Sequence, residues 1–357
     1  MLGLRTAVVA ALIGAVPFAP VPAASPSVAA DGAPFSDSIW LPYWLPGAVA
    51  DVTANADVLH TASLFWWDAA SCSSIRREPG AGGRADVNRL RAHGLEVMAT
   101  VVGSGLPPRA AIRCFSHRHS RRVQVRRLVA LADRGHYAGV DIDYETLAHT
   151  KKPSVALQVR SAFTEFVADL CHSLRSHSMK CDITVMPRVD DSTRVWLGRV
   201  TPGVYDYASI AAAADRMRVM AYDQHSHQFG PGPVAGYPWV KRVITYAAGK
   251  TSLVKVELGI PLYGRDFAGH DSVAVTSNAA LALARRHGVR PRFDPVQREM
   301  TFQYRRNGVR HTVWFSNAKA VAARTRLAAA SGMAGAAYWA ATYELPSTWK
   351  AVRRTAR

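Results

Sequence analysis

The strongest structural signal in this chain comes from residues 136–145, which read HYAGVDIDYE. Two β-branched residues, Val140 and Ile142, alternate there with acids, and an alternation with a period of two predicts a β-strand. Alternate residues of a strand share one side and lie roughly 6.6 Å apart, so the acids form a column. Like charges at this spacing do not all ionise readily inside a fold, so we expect a raised pKa and a proton available for acid catalysis. The three acids are Asp141, Asp143 and Glu145.

An edge strand with one solvated acidic face would show the same alternation. However, a helical pattern from Gln124 to Arg134 precedes the strand, and Val140, Ile142 and Tyr144 would pack against a covering layer. This arrangement favours a central parallel strand whose other face lines a barrel interior. Carboxylates in such an interior are costly unless they have a function.

The stretch resembles the signature of glycoside hydrolase family 18, in which the fourth barrel strand reads D-G-x-D-x-D-[WYF]-E. The chain matches this signature at Gly139, at the three acids and at Tyr144, and it departs at Ala138, where the family usually carries the first acid. We expect the departure to shift the pKa of the lower two acids of the column and to leave Glu145 in place. Family members that act on bacterial walls and spores are looser in this motif.

Strand-like and helix-like patterns alternate along the rest of the chain and predict a (β/α)8 TIM barrel over residues 36–357. Between the seventh strand and the last full helix lie about fifty residues, more than the dozen or so that one crossover requires. A hairpin signal at Asn307-Gly308 predicts a small α+β insertion there, over residues 266–315. Besides the acidic stretch, strands are predicted at residues 38–44, 58–67, 95–102, 182–186, 217–223, 253–262 and 335–339.

The N-terminus indicates export. Residues 1–30 contain an early arginine, an apolar run over residues 7–18 and then small residues, a pattern typical of a cleavable secretory signal peptide. The apolar run is too short to span a bilayer comfortably, so we expect no stable membrane insertion, with an uncleaved anchor as the alternative. The predicted location is therefore extracellular or associated with the cell wall.

Four cysteines in an exported chain, with no C-x-x-C pair, favour two disulfides. Three connectivities are possible. Cys171 lies late in a helix and Cys181 opens the next strand, so we prefer this pair together with Cys72 and Cys114. Reduced structural thiols are the alternative.

The chain is strongly basic, because 44 Lys and Arg against 26 Asp and Glu give a formal net charge of +18. The basic residues are scattered and no nucleic-acid motif occurs, so nucleic acid is not the expected partner. Anionic bacterial wall polymers, or solubility alone, account better for the charge. The histidine pairs at 117/119 and 225/227 lack a third ligand, and no phosphate-binding loop occurs, so we expect neither metal nor cofactor.

The resemblance extends to the ends of four other strands, in the family's order. The matching residues are Tyr43 on the first strand, Met220, Tyr222 and Asp223 on the sixth, Tyr263-Gly264-Arg265 on the seventh and Trp339 on the eighth. The resemblance implies that Tyr222 hydrogen-bonds a substrate acetamido oxygen, that Asp223 positions the sugar, and that Trp339 stacks under its apolar face.

For the acids, the resemblance implies a mechanism in which the substrate's own 2-acetamido oxygen attacks the anomeric carbon. Glu145 would protonate the glycosidic oxygen and later activate water, Asp143 would stabilise the cyclic intermediate, and Asp141 would share a proton with Asp143. The predicted protein is a secreted, monomeric, retaining hydrolase of β-1,4-linked N-acetylglucosamine polymers, either chitin or peptidoglycan glycan. A non-hydrolytic sugar-binding barrel is the alternative, and the presence of Glu145 argues against it.

Overall fold

A computed structural model describes residues 35–191, 201–227 and 229–355, so the predicted signal peptide at residues 1–30 lies outside the described residues. The strands are β1 (Ser38–Pro42), β2 (Thr61–Ser71), β3 (Ser74–Arg77), β4 (Glu96–Val102), β5 (Gly139–Asp143), β6 (Lys180–Val185), β7 (Arg216–Val219), β8 (Val256–Pro261), β9 (Tyr263–Ala268), β10 (Asp271–Thr276), β11 (Arg292–Asp294), β12 (Glu299–Arg306), β13 (Val309–Phe315) and β14 (Gly335–Trp339).

Eight parallel strands close into the predicted (β/α)8 barrel. The neighbours run β1, β14, β8, β7, β6, β5, β4 and β2, and the parallel pairing of β1 with β2 completes the circle. The acidic strand β5 pairs with β4 on one side and β6 on the other, so it is a central strand and the edge-strand alternative is wrong. The helices are α1 (Ala48–Ala54), α2 (Arg84–Ala92), α3 (Pro108–Ser116), α4 (Arg118–Gly135), α5 (Pro153–Ser176), α6 (Tyr207–Ala213), α7 (Tyr237–Ala248), α8 (Ser277–Arg286), α9 (Ala318–Ala330) and α10 (Thr348–Arg353).

The helices cover the barrel through apolar stripes, as α5 illustrates. Its Val159, Phe163, Phe166 and Leu170 are fully buried and recur at helical spacing, so one face of the helix packs on the strands. Within the described residues, no helix is both long and apolar enough to cross a membrane.

Two disulfides tie helices to neighbouring elements. Cys171 of α5 is bonded to Cys181 of β6, and Cys72, in the turn after β2, is bonded to Cys114 of α3. The preferred connectivity is therefore confirmed, and no cysteine is free.

Between β8 and α9, a five-stranded antiparallel sheet runs in the order β10, β9, β13, β12, β11 and carries α8. The β12–β13 hairpin turns at Asn307 and Gly308, which have φ angles of 52° and 77°, and such a turn favours Asn-Gly because it needs positive φ at both positions. The sheet begins at Tyr263, three residues before the predicted boundary at 266, because β9 follows β8 almost directly. Arg265 therefore lies on this sheet rather than on a barrel strand.

Candidate active site

The column of acids lies at the carboxyl end of β5. Asp141 and Asp143 are buried, with exposed fractions of 0% and 5%, and both belong to the strand. Glu145 immediately precedes a short 3-10 turn over Thr146–Ala148, and its side chain is exposed. Because the carboxyl ends of barrel strands face the catalytic side of such folds, the column leads from the barrel core to a cleft that solvent reaches.

The upper two acids hold protons readily. Burial, and then the charges of Glu145 and Asp141, raise the pKa of Asp143 well above its ordinary value. Burial, and then the charge of Asp223, raise the pKa of Glu145 to about 7. A carboxyl group with this pKa can donate a proton near neutral pH.

Asp141 lies among hydrogen-bond donors. Its Oδ2 accepts hydrogen bonds from Trp40 Nε1 and Thr100 Oγ1, both at 2.8 Å, and its Oδ1 accepts one from Thr184 Oγ1 at 2.8 Å. The guanidinium Nη1 of Arg218 lies 3.2 Å from Oδ2. Both oxygens of Asp141 are therefore engaged as hydrogen-bond acceptors.

Arg218 is the centre of a barrel-core cluster, which we define as Arg218, Asp141, Asp182 and Glu257. Arg218 is 1% exposed; its Nη2 lies 2.8 Å from Asp182 Oδ2 and its Nε donates to Glu257 Oε2 at 2.9 Å. Burial raises the pKa of Asp182 to about 7, and Arg218 opposes this shift without cancelling it. Sequence reasoning predicted Asp141 but missed Arg218, Asp182 and Glu257, although charges among the apolar residues of β6, β7 and β8 were a visible signal.

Asp223 is held in place by two partners. Its carboxylate accepts two hydrogen bonds of 2.7 Å from Arg265, through Nε and Nη2, and one of 2.6 Å from the Tyr263 hydroxyl. Its backbone has a φ of 56°, a left-handed conformation that Asp tolerates better than most residues. The structure thus brings Arg265 to Asp223, and Arg265 orients the acid that acts on the pKa of Glu145.

The other predicted residues of the sixth strand follow β7, which ends at Val219 rather than at Asp223. Met220 and Tyr222 are each 8% exposed. Burial, and then the charges of Asp143 and Glu145, raise the pKa of Tyr222 well above its ordinary value, so its hydroxyl stays protonated and can donate a hydrogen bond. Tyr222 therefore lies near enough to the column for the charges of Asp143 and Glu145 to act on its hydroxyl.

Trp339 lies in an aromatic cluster at the mouth of the barrel. Its ring centroid is 5.0 Å from Phe65, 5.9 Å from Trp40 and 6.3 Å from Trp44. Tyr43 contacts Trp44 edge to face at 4.8 Å, so Trp44 lies between Tyr43 and Trp339. Trp44 and Phe65 are site candidates that the sequence reasoning missed, although both lie in the aromatic-rich ends of the first two predicted strands.

No group of three or more His, Cys, Asp or Glu side chains in the described part of the chain is arranged to hold a metal ion.

The chain shows clear similarity to known proteins. A model described as Glycosyl hydrolases family 18 matches residues 48–344. The chain is 30% identical over 249 residues to the uncharacterized glycosylase YvbX of Bacillus subtilis (strain 168), which covers 68% of this chain and 69% of that protein. It is also 30% identical over 211 residues to the cortical fragment-lytic enzyme of Bacillus anthracis, covering 57% of this chain and only 47% of that protein.

Solved structures share the fold. A chitinase from Chromobacterium violaceum has a TM-score of 0.81 at 24% identity, covering 90% of this chain and 99% of that one. The spore cortex-lytic enzyme SleL of Bacillus cereus has a TM-score of 0.79 at 21% identity, covering 90% of this chain and 74% of that one. With the family model matched over most of its length, the chain belongs to glycosyl hydrolase family 18 and is a glycosidase.

Proposed function

We propose that the protein is a retaining hydrolase of β-1,4-linked N-acetylglucosamine polymers that uses the substrate's acetamido group as the nucleophile. The observation that carries this proposal is the column of acids, with Glu145 at the cleft and a pKa of about 7. Among the described residues, Asp223 is the acid outside the column that raises the pKa of Glu145. The oxygens of Asp223 already accept hydrogen bonds from Arg265 and Tyr263. A carboxylate engaged in this way is a poor covalent nucleophile, which favours a nucleophile supplied by the substrate.

In the first step, Glu145 donates its proton to the glycosidic oxygen as the bond to the anomeric carbon breaks. The acetamido oxygen attacks the same carbon and forms a cyclic oxazolinium ion. Asp143 accepts the acetamido N–H; this role is supported by its buried Oδ1, which receives no hydrogen bond from the described residues and so keeps an acceptor available. Tyr222 donates to the acetamido group, and Trp339 stacks against the sugar face.

In the second step, water attacks the anomeric carbon from the side that the leaving group vacated. Glu145, now a carboxylate, takes the proton of that water, and the bond from the acetamido oxygen to the anomeric carbon breaks. The acetamide is restored, and two inversions at one carbon leave the β configuration retained.

The glycan of peptidoglycan is the substrate that we favour, and chitin is the second candidate. Sequence similarity to a cortical fragment-lytic enzyme supports the first, and the TM-score of 0.81 with a chitinase supports the second. The net charge of +18 also suits a protein that works on anionic walls. We infer export from the pattern of residues 1–30, and two disulfides fit an oxidising compartment.

The substitution Glu145→Gln tests the general acid. It removes the transferable proton but keeps the shape of the side chain, so turnover should fall by about 10²- to 10⁴-fold while binding of N-acetylglucosamine oligomers persists. Product release from chitin oligomers and from purified wall glycan measures the loss and also compares the two substrates. Glu165→Gln is the matched control, because Glu165 is an exposed acid on α5 that pairs with Arg121. Wild-type turnover in Glu145→Gln would refute the proposal.

De-N-acetylated substrates test the nucleophile. A glucosamine oligomer lacks the acetamido oxygen, so it should bind without being cleaved, and a thiazoline mimic of the cyclic intermediate should inhibit more tightly than substrate binds. Kinetics with the paired acetylated and de-acetylated oligomers measure this difference. Efficient cleavage of the de-acetylated oligomer, or a sugar ester trapped on a carboxylate, would show that the protein uses its own nucleophile.

A further inference from the structure

Arg218 brings a permanent positive charge into the core of the barrel, directly below the catalytic acids. It extends from β7 and contacts carboxylates on three other strands, which are Asp141 on β5, Asp182 on β6 and Glu257 on β8. Its Nη1 also donates to Ser63 Oγ at 2.6 Å, and its guanidinium lies 5.6 Å from the Trp40 ring centroid. A planar guanidinium can hold several acceptors in fixed directions at once, which an ammonium cannot do.

Asp141 joins this cluster to the catalytic column. Trp40, Thr100, Thr184 and Arg218 direct donors at its two oxygens. A proton on Asp141 would meet these donors and would leave Arg218 beside one fewer negative charge. Asp143 is different, since its Oδ1 accepts no hydrogen bond from the described residues. The donors around Asp141 therefore favour its carboxylate form, whereas Asp143 has one oxygen that no such donor stabilises.

We propose that Arg218 is a positioning residue of the active site, which orients Asp141, holds it as a carboxylate and thereby confines the exchangeable proton of the column to Asp143 and Glu145. This inference rests on the proposed function and refines it. The resemblance to the family implies that Asp141 and Asp143 share a proton, whereas the contacts of Arg218 favour an Asp141 that does not take part in proton transfer.

The charge of Arg218 also acts on Glu145 through space. Glu145 lies four positions after Asp141 and just beyond the end of β5, so the two residues are at most on the order of 13 Å apart. A charge at this distance, at an effective dielectric constant of about 20, shifts a pKa by up to about one unit. The other charged groups facing Glu145 are Asp143 and Asp223, and Asp223 is paired with Arg265. The charged groups facing the barrel-core cluster include Arg216, whose Nε lies 4.0 Å from Glu257 Oε1.

The test is the pH profile of kcat/KM, whose alkaline limb reports the pKa of the general acid Glu145 in the free enzyme. Arg218→Gln removes a positive charge, so ionised Glu145 is less stabilised and the limb should move to higher pH by about half a unit or more. Arg218→Lys keeps the charge and should return the limb towards its wild-type position. Arg324→Gln is the matched control, because Arg324 is equally buried but pairs with Glu299 on the antiparallel sheet. It should lower stability and leave the limb in place.

An Arg218→Gln enzyme that folds and keeps the wild-type limb would show that Arg218 is only structural. If this variant does not fold, Asp182→Asn decides the question. It removes a negative charge from the same cluster at alkaline pH, so the limb should move to lower pH, and an unmoved limb overturns the inference. Failure of the proposed function is distinguishable, because it would appear as wild-type turnover in Glu145→Gln, whatever the position of the limb.

Discussion

The barrel-core cluster around Arg218 and the pair formed by Arg324 and Glu299 are both buried, but they are built in different ways. Arg218 contacts three carboxylates and one hydroxyl, whereas Arg324 contacts one carboxylate, at 3.1 Å, and otherwise donates to backbone carbonyls. Glu299 in turn accepts backbone N–H bonds from Val234 and Ala235, both at 2.9 Å. The carbonyls that Arg324 contacts are those of Ala235, Gln297, Arg298 and Ala320.

The pKa values of the two arginines shift in opposite directions. Burial lowers the pKa of Arg218, but Glu257, Asp182 and Asp141 outweigh this effect and raise it above its ordinary value. Burial lowers the pKa of Arg324, and Glu299 offsets this effect only in part. The difference shows what each arginine does. Arg324 satisfies polar groups that join α9 to the neighbouring loops, whereas Arg218 compensates an excess of negative charge that the barrel interior requires.

The largest expected effect is on the free energy of unfolding, which the loss of either buried arginine should lower by a different amount. Arg324→Met leaves one buried carboxylate without its cation and should lower the free energy of unfolding by about 3–5 kcal/mol. Arg218→Met leaves three buried carboxylates without their cation, so it should lower the free energy of unfolding at pH 7 by more than Arg324→Met does. Urea denaturation measures both variants. Arg122→Met, at an exposed position on α4, should change stability by no more than about 0.5 kcal/mol. A smaller loss for Arg218→Met than for Arg324→Met would break the comparison.

A smaller effect depends on pH. The pKa of Asp182 is about 7 in the folded protein and about 3.9 in the unfolded chain, so between these values only the folded state keeps the proton. The stability contributed by this proton is present below pH 4 and is lost as the pH rises to 7. Asp182→Asn should remove this loss. The free energy of unfolding of the variant, relative to that of the wild type, should therefore increase by about 1–4 kcal/mol as the pH rises from 4.5 to 8.

Urea unfolding of the wild type and of Asp182→Asn at these two pH values measures the gain. Asp191→Asn is a suitable control, because its carboxylate is at the surface and pairs with Lys250 at 2.7 Å. Salt bridges of this kind contribute little, so this variant should show no comparable gain. Equal pH dependence in the wild type and in Asp182→Asn would indicate that the acids around Arg218 are fully ionised throughout this range.

Much of the site could be predicted because its signals are local or recur in order along the chain. Alternation placed Asp141, Asp143 and Glu145 on one side of the chain, and the resemblance to the family, whose motif residues recur in order, pointed to Trp339. The role of Arg265 could not be read in this way, because its contact with Asp223 requires β9 to leave the barrel and join the antiparallel sheet.

Ala138 illustrates another limit. It lies at a bend just before β5, where its N–H donates to the Val97 carbonyl and its carbonyl accepts from the Lys180 N–H, so it extends the pairing of β5 with β4 and β6. Strand alternation puts it on the side of Val140 and Ile142, opposite to the column of acids. An acid missing from that side is not a direct neighbour of Asp141, and the charge nearest to Asp141 is Arg218.

The sequence by itself determined the spacing and direction of the column of acids and the succession of strands and helices, and it favoured the disulfide pair that spans one α–β connection. These properties follow from periodicity and from short separations along the chain. Only the tertiary structure decided which acids have a raised pKa and which groups surround them. Burial sets the local dielectric, and closure of the barrel brings the charge of Arg218 from β7 to Asp141 on β5, two strands away.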